Sequence, residues 1–164
     1  MTPQHSFRQQ GFTLIEALIV VAIVGVFLSL AAPSFVTFTA SQRVKTASFD
    51  LYAALTFARS EAIKRRKLVT VAPVSADWNQ GWTVSTDVGG TQTTLRSQDP
   101  LSAVRISSAS ASVVYRLDGR ISSGSTVGVL IRPATDDPAI QNRCIRVDLT
   151  GLPKSTSISS TTCP

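Results

Sequence analysis

Hydrophobic residues form a nearly unbroken stretch from residue 12 to residue 32, and the only formal charge within it is Glu16. Its 21 residues match the roughly 20 that an α-helix needs to cross the hydrocarbon core of a membrane. A carboxylate in such a stretch is costly to insert and commonly has a function and a partner. We therefore predict a membrane-inserted helix, with Glu16 either functional inside it or hydrated at the level of the headgroups.

Further along, apolar positions recur at spacings of three and four, which is the period of an amphipathic helix. The residues of this apolar stripe are Val44, Ala47, Leu51, Leu55, Ala58 and Ala62. We predict that the helix continues to about residue 66 and packs this stripe on a sheet, with Glu61 off the stripe and paired with Arg65 at i, i+4. The basic run of residues 64–67 suits a helix C-terminus, where cations complement the dipole; a nucleic-acid or lipid contact is the alternative.

After residue 67 the apolar period changes to two, which is typical of strands. The candidate strands cover residues 68–74, 82–86, 93–97, 104–106, 112–117, 127–132 and 144–149. Gly89-Gly90 and Asp118-Gly119 supply turn signals between strands. Residues 155–162 are rich in Ser and Thr, and we interpret them as a tail. The predicted fold class is α+β, a long helix on an antiparallel sheet.

Composition limits the chemistry. The 164 residues leave room for one small domain beside the apolar helix, and the net charge of +6 with a pI near 10.0 suits anionic partners. The single histidine, His5, lies ahead of the apolar stretch, so the rest of the chain cannot form a Ser-His or Cys-His pair. We expect no enzymatic activity, no metal and no cofactor.

The two cysteines are Cys144 and Cys163. In an oxidising compartment two such thiols favour a disulfide, and without a histidine nearby they make a poor zinc site. Closing a loop of about 20 residues is worth roughly 3 kcal/mol in the chain-entropy model. We therefore predict a disulfide that holds the tail against the last strand.

Ahead of the apolar stretch lies a short polar segment whose fixed charge is Arg8, followed by Gly11-Phe12-Thr13-Leu14-Ile15-Glu16. This pattern resembles the cleavage site of type IV prepilins and type II secretion pseudopilins. The resemblance implies that a prepilin peptidase cuts after Gly11 and methylates the new N-terminus, Phe12. It further implies that Glu16 pairs with the Phe12 ammonium of a neighbouring subunit. The alternative is an ordinary secretory signal cut after Ala31.

A second resemblance lies in Ala58-Arg59-Ser60-Glu61-Ala62-Ile63 with its basic run and in Trp78-x-x-Gly81-Trp82. These segments resemble the FimT/FimU minor pilins and the H-type pseudopilins, although plain core packing also accounts for the tryptophans. The resemblance implies a type IV pilin-like fold with a leader at 1–11, a hydrophobic assembly helix at 12–40 and a globular domain at 41–164. It also implies insertion in the inner membrane, with the N-terminus cytoplasmic and the domain periplasmic, before entry into an extracellular pilus or a pseudopilus.

The partners implied are other major and minor pilins and the prepilin peptidase. The function implied is that of a minor pilin that helps to initiate assembly or forms part of the tip complex, with an H-type pseudopilin of a type II secretion system as an alternative.

DNA binding is a further alternative, because some FimT-type minor pilins act in DNA uptake through a basic segment that follows a glycine. Here the corresponding stretch, Gly151-Leu152-Pro153-Lys154, has one cation and a proline and so departs from that pattern. The candidate DNA contacts are Arg143, Arg146 and Lys154, with an affinity that would fall steeply with salt.

Overall fold

The computed structural model describes residues 12–163, without the side chains of residues 30–33, so Gly11 and the predicted leader lie outside the described residues. Helix α1 spans Leu14–Arg65. Eight strands follow it: β1 Val69–Pro73, β2 Trp82–Val88, β3 Thr91–Gln98, β4 Val104–Ser108, β5 Val113–Tyr115, β6 Val127–Pro133, β7 Asn142–Val147 and β8 Pro153–Ile158. Short 3-10 turns at Val74–Ala76 and Trp78–Gln80 separate β1 from β2.

The chain divides into two compact units, one ending at Val36 and one beginning at Thr37. Within the described residues, no single helix has both the length and the hydropathy expected of a membrane span. Helix α1 enters this test as two segments, Leu14–Ser29 and Ser34–Arg65, and only the two together have the length and hydropathy of a membrane span.

The second unit is built on the apolar stripe of α1. All six residues predicted for this stripe are buried, as the 3.6-residue period requires of a helix that covers a core. Glu61, which lies off this stripe in the sequence, is also buried and only 8% exposed. Its carboxylate is paired with Arg65, as predicted, and lies 3.9 Å from the Lys64 ammonium, so the buried acid is compensated.

The strands form two antiparallel four-stranded sheets. The first has the order β3-β2-β1-β5 and the second the order β4-β6-β7-β8. Helix α1 and the inner faces of these sheets supply one shared core, which also holds Trp78 and Trp82. The fold class predicted from the sequence, a long helix with antiparallel strands and a C-terminal disulfide, is confirmed, with the strands divided between two sheets.

The predicted tail is wrong in its first half, because Pro153–Ile158 forms strand β8. This strand pairs with β7 over six positions, from Val147↔Pro153 to Asn142↔Ile158. The second half, residues 159–163, has no regular structure. Edge strands with one partner need no alternating apolar face, so the hydroxyl-rich sequence of β8 lacked the period-two signal that identified the other strands.

Candidate functional site

The first turn of α1 is closed by Thr13. The backbone amide of Glu16 donates to the Thr13 Oγ1 at 3.3 Å, and the amide of Ala17 donates to the Thr13 carbonyl at 3.2 Å. A threonine at the cap with a glutamate three residues later is the capping-box pattern. The Glu16 carboxylate therefore lies in the first turn of α1, where the helix dipole favours a negative charge. Sequence analysis missed this capping role, although the Thr-x-x-Glu spacing indicates it.

The first half of α1 exposes large apolar side chains all round. Those of Leu14, Ile15, Leu18, Ile19, Val20, Val21, Ile23, Val24, Val26, Phe27 and Leu28 are each at least 48% exposed. Soluble monomers rarely expose a contiguous apolar surface of more than a few hundred Å². This surface therefore needs a membrane or other protein subunits around it. Phe12 and Glu16 lie exposed at its beginning.

The disulfide predicted between Cys144 and Cys163 is present, with the two Cα atoms 5.4 Å apart. Because Ile145 and Val147 face the core, Cys144 and Arg146 face the other side of β7. Cys163 sits on this outer face, with its Sγ 3.9 Å from the carbonyl of Val129. The bond thus holds residues 159–163 across the outer side of β6 and β7.

The same alternation separates the predicted DNA contacts. Arg143 and Arg146 are three positions apart on β7 and so point to opposite faces of the second sheet. Arg146 lines an outer cavity of about 460 Å³ together with Gly128 and Cys163. Lys154 is directly opposite Arg146 in the β7–β8 register, so its side chain shares the outer face with Arg146. Arg143 lines a different groove, which Lys154 also borders.

That groove lies between α1 and strands β7 and β8, and it has a volume of about 680 Å³. We call it the basic groove and define it by its lining residues: Lys45, Thr46, Ser48, Phe49, Tyr52, Arg143, Pro153, Lys154 and Ser155. A smaller cavity of about 250 Å³ shares Lys45 and Arg143 with it and adds the hydroxyls of Ser41 and Ser157. Neither lining contains an acidic residue.

One side-chain contact ties the two walls of the basic groove. The hydroxyl oxygens of Ser48 on α1 and Ser155 on β8 are 2.9 Å apart, within hydrogen-bond distance. Phe49, beside Ser48, is 71% exposed, and Tyr52, one turn further along α1, is 37% exposed. The groove thus combines a hydrogen-bonded seam, two accessible aromatic rings and the cations Lys45 and Arg143, with Lys154 at its border. Sequence analysis missed it, because its walls are about a hundred residues apart in the chain.

Two cations of the basic run at the end of α1 form ion pairs within the helix. Lys64 and Arg65 both pair with Glu61, and Arg59, one turn earlier, donates from Nε to the carbonyl of Gly119 at 3.1 Å. The interpretation of these cations as a helix C-terminus is consistent with this arrangement.

Two aspartates, Asp77 and Asp148, have a lowered pKa because they accept hydrogen bonds from residues close to them in the chain. A hydrogen bond from the Thr150 side chain is the main cause that lowers the pKa of Asp148, and a backbone hydrogen bond from Asn79 is the main cause for Asp77. Burial raises the pKa of Tyr115, whose hydroxyl has no hydrogen-bond partner among the described residues.

In residues 12–163 no group of three or more His, Cys, Asp or Glu side chains is placed to hold a metal ion.

Comparison with known proteins gives two family matches. The model of the type II transport protein GspH family matches residues 47–151, and that of the prokaryotic N-terminal methylation motif matches residues 6–32. A fimbrial protein of Pseudomonas aeruginosa is 37% identical over 83 residues, covering 50% of this chain and 54% of the relative. The chain thus spans about half the length of this curated relative. The type IV major pilin protein PilA of Myxococcus xanthus is 43% identical over 53 residues, 32% of this chain and 24% of PilA.

Two solved structures resemble this fold. The type IV minor pilin FimU of Pseudomonas aeruginosa superposes with a TM-score of 0.60 at 20% identity, over 77% of this chain and 96% of FimU. The minor pseudopilin EpsH of the Vibrio cholerae type 2 secretion system gives 0.50 at 14% identity, over 70% of this chain and 97% of EpsH. At these identities the likeness concerns the fold.

Proposed function

This chain belongs to the type II transport protein GspH family, whose model covers residues 47–151, and on that premise we propose that it is a minor pilin. As a structural subunit of a type IV pilus it helps to initiate assembly or forms part of the tip complex. The observation that carries the proposal is the exposed apolar surface of α1, which a folded domain of this size does not cover. Subunit packing in a filament covers such a surface.

Processing at Gly11 prepares the subunit for this role. The match of the N-terminal methylation motif over residues 6–32 supports cleavage after Gly11 and methylation of Phe12 by a prepilin peptidase. The chain is inserted in the inner membrane with its N-terminus cytoplasmic and its domain periplasmic, and it then enters the extracellular filament. The Cys144–Cys163 disulfide fits the oxidising side of that membrane.

Glu16 guides assembly by charge. After cleavage its carboxylate meets the ammonium of Phe12 of the neighbouring subunit, so that two desolvated charges of opposite sign compensate each other. The exposure of both residues at the start of α1 supports this pairing. The hydrophobic assembly segment, residues 12–40, packs against its counterparts, and residues 41–164 form the globular part.

A minor pseudopilin of a type II secretion system is the second candidate, and the GspH family match favours it. Both candidates use the same helix packing and differ in the apparatus to which the subunit belongs. Contact with DNA is a third candidate, favoured by the presence of Arg143 and Lys154 in one groove with Lys45. If these three cations each contact one phosphate of a single strand, the logarithm of the binding constant falls with the logarithm of the salt concentration with a slope of only about −2. The electrostatic part of this contact would therefore be weak.

The proposal is tested in cells that express the full chain with an epitope tag after the last strand. Immunoblots of sheared filaments report incorporation, and the mass of the filament-associated protein reports its N-terminus. We expect the tagged chain in the filament fraction, beginning at methylated Phe12. A mature protein that begins at Ala32, or a chain that is absent from filaments and pseudopili, would contradict the proposal.

A further inference from the structure

We propose that the basic groove is a docking site for an extended, acidic segment of another filament subunit, which adds to the open edge of β8. This inference rests on the proposed function, because it names the surface through which the subunit contacts a neighbour by its domain. It differs from the packing of apolar helices, since it concerns residues of the second unit only. Charge, backbone edge and exposed aromatic rings each support it.

The charge of the groove is uncompensated. Lys45, Arg143 and Lys154 line it, and no acidic side chain does. The ion pairs formed among the described residues involve other cations, namely Lys64, Arg65 and Arg105. Lys45 and Arg143 face the groove, and Lys154 lies beside Arg146 on the other face of the same edge. Cations on both faces of an edge without a carboxylate lower the free energy of an anionic occupant and repel a basic one.

The second feature is the edge of the sheet. Strand β8 lies at the end of the second sheet and pairs only with β7 in the part of the chain that the structure describes. Half of its backbone N–H and C=O groups therefore point away from β7, where an added strand could accept and donate hydrogen bonds. Pro153 and Ser155, at the start of β8, also line the groove, so groove and edge are continuous.

A second copy of the same edge is a poor occupant. Arg146 and Lys154 are directly opposite each other in the β7–β8 register, which places two like charges side by side next to the edge. Pairing β8 with another β8 would add a second such pair. Lysine and proline at an edge commonly prevent self-association in this way, and the same charges favour a strand that carries carboxylates.

The aromatic rings give the occupant an apolar anchor. Phe49 and Tyr52 flank the groove on successive turns of α1, and Phe49 is 71% exposed. Side chains of an extended segment alternate, so one face can pack against these rings while the other places carboxylates beside Lys154 and Arg146 on the outer face. A segment that alternates acidic and apolar residues fits both requirements.

Nucleic acid fits the groove less well. Proteins that bind DNA through phosphates use 6–10 contacts in strongly salt-dependent cases, whereas this groove offers about three. Nucleic acid also leaves the backbone groups of the β8 edge without partners, whereas a polypeptide strand satisfies them. The observations therefore favour a protein segment.

The first test places a photo-crosslinking amino acid at Phe49 in the full chain, in cells that assemble filaments. The control position is Leu117, which is exposed on a turn that does not line the groove. We expect Phe49 to crosslink to an acidic extended segment of another filament subunit, identified by mass spectrometry of the joined peptides. The crosslink should be lost in Arg143→Glu/Lys154→Glu and kept in Arg96→Glu, which reverses a cation on an edge strand of the first sheet.

The outcomes separate this inference from the proposed function. A subunit that enters filaments normally but forms no such crosslink overturns the docking site and leaves the minor pilin proposal standing. A crosslink that persists in Arg143→Glu/Lys154→Glu also overturns it. A chain that never enters filaments contradicts the proposed function instead.

The second test needs no known partner. The full chain in detergent is titrated with a labelled hexapeptide of alternating Glu and Val, with its Lys–Val counterpart, and with a short oligothymidylate. We expect the Glu–Val peptide to bind, the Lys–Val peptide not to bind, and Arg143→Glu/Lys154→Glu to weaken binding by about tenfold while Arg96→Glu changes little. Oligothymidylate binding that depends on the same two cations, without peptide binding, would identify a nucleic-acid site and overturn the proposal.

Discussion

Gly128 of β6 lies directly beneath Cys163: a β-carbon built on Gly128 would come within 3.1 Å of the Cys163 sulfur and 3.3 Å of its Cβ. The absence of a side chain at this position lets the disulfide lie flat on the outer face of the second sheet. The glycine and the disulfide therefore act together, one providing the space that the other occupies.

Gly128→Val should destabilise the domain despite the preference of strands for valine. Extra methyl groups in an occupied space typically cost 1–3 kcal/mol, so we expect a loss of about that size in the free energy of unfolding. Unfolding of the detergent-solubilised chain by urea can be followed by tryptophan fluorescence, because Trp78 and Trp82 both lie in the core. Gly124→Val is the matched control, since nothing lies within 4 Å of a β-carbon there. If the two variants have equal free energies of unfolding, the disulfide on the outer face rearranges around the added methyl groups without loss of stability, which would contradict the prediction.

Cys163→Ser should lower the free energy of unfolding by about 3 kcal/mol, the value expected for a loop closed over a separation of 19 residues. A reductant should lower the free energy of unfolding of the wild-type chain by a similar amount and leave that of the variant unchanged. A wild-type chain that is insensitive to reductant would mean that the pairing with β7 alone holds β8 and the residues after it.

Glu16→Gln separates the two roles of this residue. Glutamine keeps the size of the side chain and the ability to complete a capping box with Thr13, but it removes the charge. We expect Glu16→Gln and Glu16→Ala to leave the leader cleavable and the domain folded while both abolish incorporation into filaments, as judged by immunoblots of sheared filaments.

Thr13→Val is the control for capping. It removes the hydroxyl that accepts from the Glu16 amide and costs about 1 kcal/mol at the helix end, yet it keeps the carboxylate. Incorporation should persist in this variant. Normal incorporation of Glu16→Gln into filaments would contradict the proposed pairing of Glu16 with the Phe12 ammonium of the neighbouring subunit.

Asp148→Asn should reduce the acid sensitivity of the domain. Because folding lowers the pKa of Asp148, the carboxylate stabilises the native state above the ordinary Asp pKa, and this contribution is lost as pH falls through the lower folded pKa. Urea midpoints measured between pH 7 and pH 3 should therefore fall less in Asp148→Asn than in the wild-type chain. Asp118→Asn, with the same charge change in another turn, controls for net charge, and identical acid profiles for Asp148→Asn and the wild type would contradict the assignment.

Much of the fold was predictable because its signals are local. The apolar stripe of α1 from Val44 to Ala62 and the alternating apolar positions of β6 and β7 are buried as their periods require. The hairpin predicted at Gly89-Gly90 joins β2 to β3, with Val88 opposite Thr91. The disulfide followed from the number of cysteines and the compartment.

The features that sequence analysis missed depend on contacts between distant residues. Strand β8 is stabilised by pairing with β7 and not by an apolar period of its own. The basic groove needs Lys45 and Arg143 on opposite walls, and no local pattern relates residues so far apart. The separation of Arg143 from Arg146 was predictable from strand alternation alone, once β7 was identified.

Strand β5 belongs to the first sheet, although the strands before and after it along the chain, β4 and β6, belong to the second. Neither sheet is therefore a continuous piece of chain, and neither can come apart without releasing a strand that connects to the other. We therefore expect the two sheets to be lost together in one cooperative unfolding transition. In the proposed role as a filament subunit, the domain therefore has no partly folded state in which one sheet survives without the other.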